Sequence, residues 1–126
     1  MKKNILVIED DAALASLLTG GLVSAGFEVE VAVDGEMGLK AIEKKPDLIL
    51  LDIMLPKMDG LTLMQKIREK DEWGVHVPII IASNLSPDDS KVLKSVSTYP
   101  PIFFLVKADN SIDAIVEKVS EILKSK

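Results

Sequence analysis

LILLDIMLPKMDG, residues 48–60, holds three signals in a row. Leu48, Ile49, Leu50 and Leu51 are aliphatic at every position, the pattern of a strand covered by helices on both faces. Asp52 follows at once. A loop then runs to Asp59, whose carboxylate suits the cap of a helix striped by Leu63, Met64 and Ile67. A buried strand that ends in an acid and hands over to a helix is one unit of a parallel sheet with crossover helices.

The same unit recurs on either side. Residues 4–9 (NILVIE) read as a buried strand, and Leu14, Leu17, Leu18, Leu22 and Ala25 fall at helical spacing before Gly26 stops the helix. FEVEVA (27–32) sets Phe27, Val29 and Val31 on one face and Glu28 and Glu30 on the other, which predicts a half-exposed edge strand. Asp34 caps a second helix over 35–44, and Pro46-Asp47 resets the chain before Leu48. Downstream, Pro78 opens IIIA (79–82), and Ser86-Pro87-Asp88-Asp89 predicts a capped fourth helix running to Ser97. Pro100-Pro101 blocks any continuation, and IFFLV (102–106) is the fifth strand. Ile112, Ile115, Val116, Val119, Ile122 and Leu123 stripe the last helix.

Five strands alternating with five helices predict an α/β fold, a single doubly wound parallel sheet in the order 2-1-3-4-5 with right-handed crossovers. That order puts the alternating run at an edge and the aliphatic runs inside. Any functional crevice then lies beyond the carboxyl ends of the strands.

At 126 residues the chain reads as one domain, residues 1–126, long enough to close a single core. No apolar run reaches the roughly 18 residues of a membrane span, and MKKNILVIEDD turns acidic too early for a secretory signal. The lack of cysteine excludes disulfides and thiolate metal sites, and fits a reducing, cytoplasmic setting. A net charge of −5 argues against direct nucleic-acid binding, which rests on Lys and Arg, and favours a protein partner or a cation. One histidine leaves imidazole triads out of reach, so the available chemistry is carboxylate, hydroxyl and ammonium.

The strand ends carry that chemistry. Glu9-Asp10-Asp11 follows the first buried run, Asp52 the third, Ser83 the fourth and Lys107 the fifth. Each has an ordinary reading alone: Asp11, Asp34 and Asp59 as helix caps, Ser83 as a loop hydroxyl, Lys107 as a solvated lysine. Together they place acids, a hydroxyl and an ammonium at one edge of four strands. Carboxylates brought to one point repel until a shared proton or a divalent cation relieves them, and a hard-oxygen set suits Mg²⁺. The lysine and hydroxyl can then hold the remaining oxygens of a phosphoryl group.

ILVIEDD (5–11), LILLDIMLPKMDG (48–60), IIIAS (79–83) and FLVK (104–107), in this order, resemble the bacterial response-regulator receiver family over essentially the whole chain. The resemblance implies a flavodoxin-like receiver fold and a Mg²⁺-dependent phosphorylation switch of two-component signalling. On it, Asp52 is the phosphoacceptor, attacking the phosphohistidine of a sensor histidine kinase or phosphotransfer protein. Asp10 matches the direct metal ligand, Glu9 the acid that binds through water, and Met54 the residue that lends its backbone carbonyl. Ser83 stands where a hydroxyl moves to the phosphoryl group, Lys107 pairs with its oxygens, and Phe104 holds the place of the rotating aromatic switch. The implied output face, built from the fourth helix, fifth strand and last helix, serves a downstream protein or a dimer.

The chain departs from that pattern in places. Ala108 follows Lys107 where the family has proline and a cis peptide; a cis bond to Ala costs about 3–4 kcal/mol, so a different loop is expected. Tyr99-Pro100-Pro101 replaces a usual Gly-Ala, and the segment 71–77, with the only Trp and His, is longer than usual. Glu117 stands where winged-helix regulators carry Arg, which points to a stand-alone or atypical receiver. Met54 and Leu85 occupy two positions that in the family influence phosphoryl lifetime, and both being apolar predicts a long-lived phosphorylated form. Among rivals, an aspartyl phosphatase or dehalogenase needs Asp-x-Asp after the first strand, but position 54 is Met and Asp52 follows the third. A flavin binder needs a hydroxyl- and glycine-rich loop where Glu9-Asp10-Asp11 stand. The remaining alternative is a pseudo-receiver, a protein-interaction module that keeps the fold without phosphorylation.

Overall fold

The computed structural model describes residues 2–84, Lys94 and 103–124. Strands β1 (Asn4–Ile8), β2 (Glu28–Ala32), β3 (Leu48–Leu51), β4 (Ile79–Ser83) and β5 (Phe103–Val106) form one all-parallel sheet in the order β2-β1-β3-β4-β5. This is the expected topology. The aliphatic strands β1, β3 and β4 lie inside, and the alternating β2 forms one edge. β5 forms the other. The helix expected over 86–97, Lys94 apart, together with Leu85 and the prolines at 100 and 101, lies outside the described residues.

Helices α1 (Ala12–Ser24), α2 (Gly35–Ala41), α3 (Gly60–Lys70), α4 (Glu72–His76) and α5 (Ile112–Lys124) are described. None among the described residues is long and apolar enough to cross a membrane. The three aspartate caps form as read: Asp11 accepts from the Leu14 N–H at 3.1 Å, Asp34 from Met37 at 2.8 Å and Asp59 from Thr62 at 2.9 Å. Gly26, at φ +98°, ends α1 in the left-handed region that glycine enters most easily.

Alternate strand residues feed two cores, one on each face of the sheet. Leu6, Ile8, Ile49, Leu51, Ile79 and Ile81 meet Leu63, Met64 and Ile67 of α3. On the other face Ile5, Val7, Leu48, Leu50 and Ile80 meet α1 and α5 through Leu18, Leu22, Ile115 and Val119. Each fully buried aliphatic side chain is worth about 2 kcal/mol, so the three central strands anchor the fold.

One helical expectation is corrected. Leu17 is 60% exposed and Ala25 is also exposed, whereas Ala15, Leu18 and Leu22 face the core. Uncharged residues surround α1 on every side, so spacing alone could not choose its inner face. Contact chose it: a Cβ on Gly21 would come within 2.9 Å of Val116 on α5, so the two helices meet closely there. The long segment 71–77 contains α4. Asp71 caps this helix, accepting from the Gly74 N–H at 2.8 Å. Gly74 lies so close to α3 that a Cβ would sit 1.9 Å from the Ile67 carbonyl oxygen. The Arg68 guanidinium donates to the carbonyls of Gly74, Val75 and Val77 at 3.0, 3.3 and 2.6 Å, closing the other end.

Candidate functional site

The parallel register brings the acids together. Ile8 is level with Leu51, so Glu9 and Asp52 leave neighbouring strands side by side. Both backbones are still tied to the sheet, Glu9 N–H to the Ala32 carbonyl and Asp52 N–H to the Ile8 carbonyl, each at 3.0 Å. The two side chains are buried, while that of Asp10, one residue on, is exposed. Carboxylate oxygens of Glu9, Asp10 and Asp52 all lie within 4.8 Å of one another. Three hard oxygen donors at such spacing fit a divalent cation of the Mg²⁺ type.

Lys107 reaches this cluster from the end of β5. Its Nζ donates to Glu9 Oε1 and, at 3.0 Å, to Asp52 Oδ2. Asp52 Oδ1 accepts from the Met54 N–H at 3.2 Å, and Glu9 Oε2 accepts from the Asp11 N–H at 3.1 Å. Burial pushes the Glu9 carboxyl above the usual carboxylate range and Asp52 adds repulsion, against the pull of Lys107 and the Asp11 N–H. Burial works on Lys107 in the opposite sense, lowering it. Its bonds to Glu9 and Asp52 outweigh that burial, so the ammonium is held above its ordinary value. The asymmetry follows from stoichiometry: one cation has two acids, and each acid has a share of one cation.

Of the remaining expected residues, Ser83 and Met54 lie beside this point and Phe104 lies further back along β5. Ser83 is buried at the carboxyl end of β4, level with Val106 and so beside Lys107. Phe104 is half-buried, packed on the core formed with α2 and α3. Met54 sits on the loop over Asp52 with its side chain 61% exposed. The described residues contain no cis peptide, and Lys107–Asp109 forms a short 3-10 turn.

Two supporting residues escaped the sequence reading. A Cβ on Gly60 would sit 2.1 Å from the Asp52 carbonyl oxygen, and the Gly60 N–H donates to the Ile53 carbonyl at 2.7 Å. Glycine thus lets α3 begin against the backbone that carries Asp52; a poor helix former just after the cap was the available signal. Lys57, at φ +67°, lies 3.7 Å from both Asp34 and Glu36 and ties the loop after β3 to α2. No local pattern announces that long-range pairing.

Residues 5–118 match the family described as the response regulator receiver domain. The chain is 42% identical over 89 residues to the DNA-binding dual master transcriptional regulator RpaA of Synechocystis sp., covering 70% of this chain and 36% of that protein. It is 39% identical over 94 residues to the alkaline phosphatase synthesis transcriptional regulatory protein PhoP of Bacillus subtilis, covering 74% and 38%. The chain therefore spans little more than a third of the length of these relatives. Among solved structures, a CheY-like response regulator receiver domain protein from Methanospirillum hungatei is similar at a TM-score of 0.87 and 25% identity, covering 99% of this chain and 96% of that one. The BeF3-activated N-terminal receiver domain of RstA from Klebsiella pneumoniae is similar at a TM-score of 0.80 and 27% identity, covering 94% and 97%.

Proposed function

The chain belongs to the response regulator receiver domain family of two-component systems, and on that footing we propose that it takes a phosphoryl group from a kinase phosphohistidine onto Asp52. The observation that carries this reading is the ammonium of Lys107 held between Glu9 and Asp52, with Asp10 alongside. A buried acid at a strand end, hydrogen-bonded by a lysine, is a carboxylate held in place for attack.

An Asp52 oxygen attacks the phosphorus in line, the phosphorus–nitrogen bond breaks, and its electron pair returns to the histidine nitrogen. Asp52 is held for this from both sides, by the Met54 N–H on Oδ1 and Lys107 on Oδ2. Lys107 then follows the charge onto the phosphoryl oxygens, and the Ser83 hydroxyl donates to another of them, drawing β4 and Phe104 of β5 toward the switched state. Glu9, Asp10, Asp52 and the Met54 carbonyl are the residues that would hold Mg²⁺. Bound there, the cation supplies positive charge to the carboxylate and phosphoryl oxygens. The domain works in the cytoplasm, meets a sensor histidine kinase or phosphotransfer protein, and contacts no nucleic acid itself. It passes its state to a downstream protein or a second copy across the face that carries β5 and α5. The pseudo-receiver alternative finds no support in a site where every polar position required is filled.

The test is the intact mass after incubation with Mg²⁺ and acetyl phosphate. Wild type should gain one phosphoryl group and Asp52→Asn none. Gain by both would move the acceptor elsewhere, and gain by neither would favour the pseudo-receiver.

A further inference from the structure

At the amino ends of the strands, across the sheet from Asp52, a cleft of about 290 Å³ is lined by Lys3, Lys45, Pro46, Trp73, His76 and Pro78. Asp47, Val77 and Leu123 complete its wall. A half-buried indole and two prolines give it apolar surface.

Among the described residues neither Lys3 nor Lys45 forms a direct ion pair. The charge of Lys45 nevertheless reaches Asp71 and, after the Gly74 N–H and Lys70, helps to hold that carboxyl low. The nearby acids are already engaged: Asp47 accepts from the Asn4 N–H at 2.7 Å, and Asp71 is held by the Gly74 N–H and Lys70. His76 Nδ1 lies 3.0 Å from the Glu72 carbonyl, which only accepts, so Nδ1 carries the hydrogen and Nε2 is left for a ligand. A second cleft of about 280 Å³, beside β2, differs in charge rather than size, since its Lys44 already pairs with Glu30 at 3.2 Å.

The walls are fixed in advance. The Asp71 cap, the close seat of Gly74 and the three carbonyl bonds of Arg68 hold α4, and with it Trp73 and His76. Lys45 stands at φ 52°, a left-handed position where Gly or Asn is the easier choice. A lysine kept there sets an ammonium at the rim of the cleft.

We propose that this cleft binds a small planar aromatic anion, its ring against Trp73 and its carboxylate or phosphate toward Lys3 and Lys45. The volume lies at the small end for ligand sites and admits a ligand of roughly two fused rings. Naphthoate, naphthyl phosphate and neutral naphthylmethanol should be titrated separately into the isotope-labelled full chain without Mg²⁺, following amide shifts. At least one anion should give saturable shifts at Lys3, Lys45, Trp73 and His76, binding about fivefold or more tightly than the alcohol. The preferred anion identifies the head group as carboxylate or phosphate. Lys45→Gln should weaken it about fivefold, and Trp73→Leu about tenfold. If Trp73→Leu fails to fold, Lys45→Gln and the alcohol decide. Absence of saturation, equal affinity for the alcohol, an unchanged Lys45→Gln, or shifts confined to Glu9, Asp52 and Lys107 would each overturn the proposal.

Discussion

At the carboxyl end of the sheet, three carboxylates lie within 4.8 Å of one another, and two of them accept from the ammonium of Lys107. At the amino end, the guanidinium of Arg68 satisfies three backbone carbonyls and Asp71 caps a five-residue helix. Both ends use a half-buried cation, yet one gathers net negative charge and the other closes hydrogen bonds. The first is held by balance between like and unlike charges, the second by satisfied backbone groups. A divalent cation should therefore act on one end and leave the other indifferent.

The largest expected effect comes from Lys107→Ala. It strands two buried carboxylates and should cost about 3 kcal/mol in metal-free buffer, with much of the loss recovered when Mg²⁺ takes over the neutralisation. Thermal unfolding with EDTA or Mg²⁺ measures both halves; an equal loss in the two buffers would break the comparison. The same variant fixes a pH signature. Because the folded state holds Lys107 above its ordinary 10.5, its stabilisation is complete below that value and fades as pH rises through the raised one. From neutral pH, where its carboxylate partners are charged, the gap in stability between wild type and Lys107→Ala should thus stay level up to 10.5 and narrow beyond it.

Arg68→Leu should cost about 2 kcal/mol, since buried carbonyls lose their donor. Here the cost should be the same with and without Mg²⁺, and tryptophan emission should shift because Trp73 is the only tryptophan and sits on α4. A Mg²⁺-sensitive loss would show that the two ends are coupled rather than independent.

Asp10→Asn should weaken Mg²⁺ binding about tenfold and depress phosphorylation. Metal-free stability should hold or rise, because one repelling charge is gone. Calorimetric titration together with a melt checks both, and unaltered Mg²⁺ affinity would remove Asp10 from the ligand set. The smallest effect belongs to Met54→Asn. An amide in place of an exposed thioether can orient water toward the phosphoryl group, so loss of phosphate after donor removal should quicken several-fold. Equal or slower decay would show that position 54 does not set the lifetime.

The sequence by itself determined the strands, their order and the caps at Asp11, Asp34 and Asp59, because the pattern of a strand and the reach of a cap depend on residues close along the chain. A strand covered on both faces must be aliphatic throughout, as 48–51 is, and a cap joins residues three apart, as Asp59 and Thr62 are. The strand-end rule then named Glu9, Asp10, Asp52, Ser83 and Lys107, since parallel strands must end on one side. What the tertiary structure decided is how those groups share charge. Lys107 lies 98 residues from Glu9 and 55 from Asp52, and no pattern reports which acid it will neutralise. Packing also chose the inner face of α1, where apolar residues on all sides left spacing mute and Gly21 against α5 settled it. The closed turn of α4 arose the same way, because five residues are too few to show a period and its stability comes from Arg68 and Ile67 on the neighbouring helix.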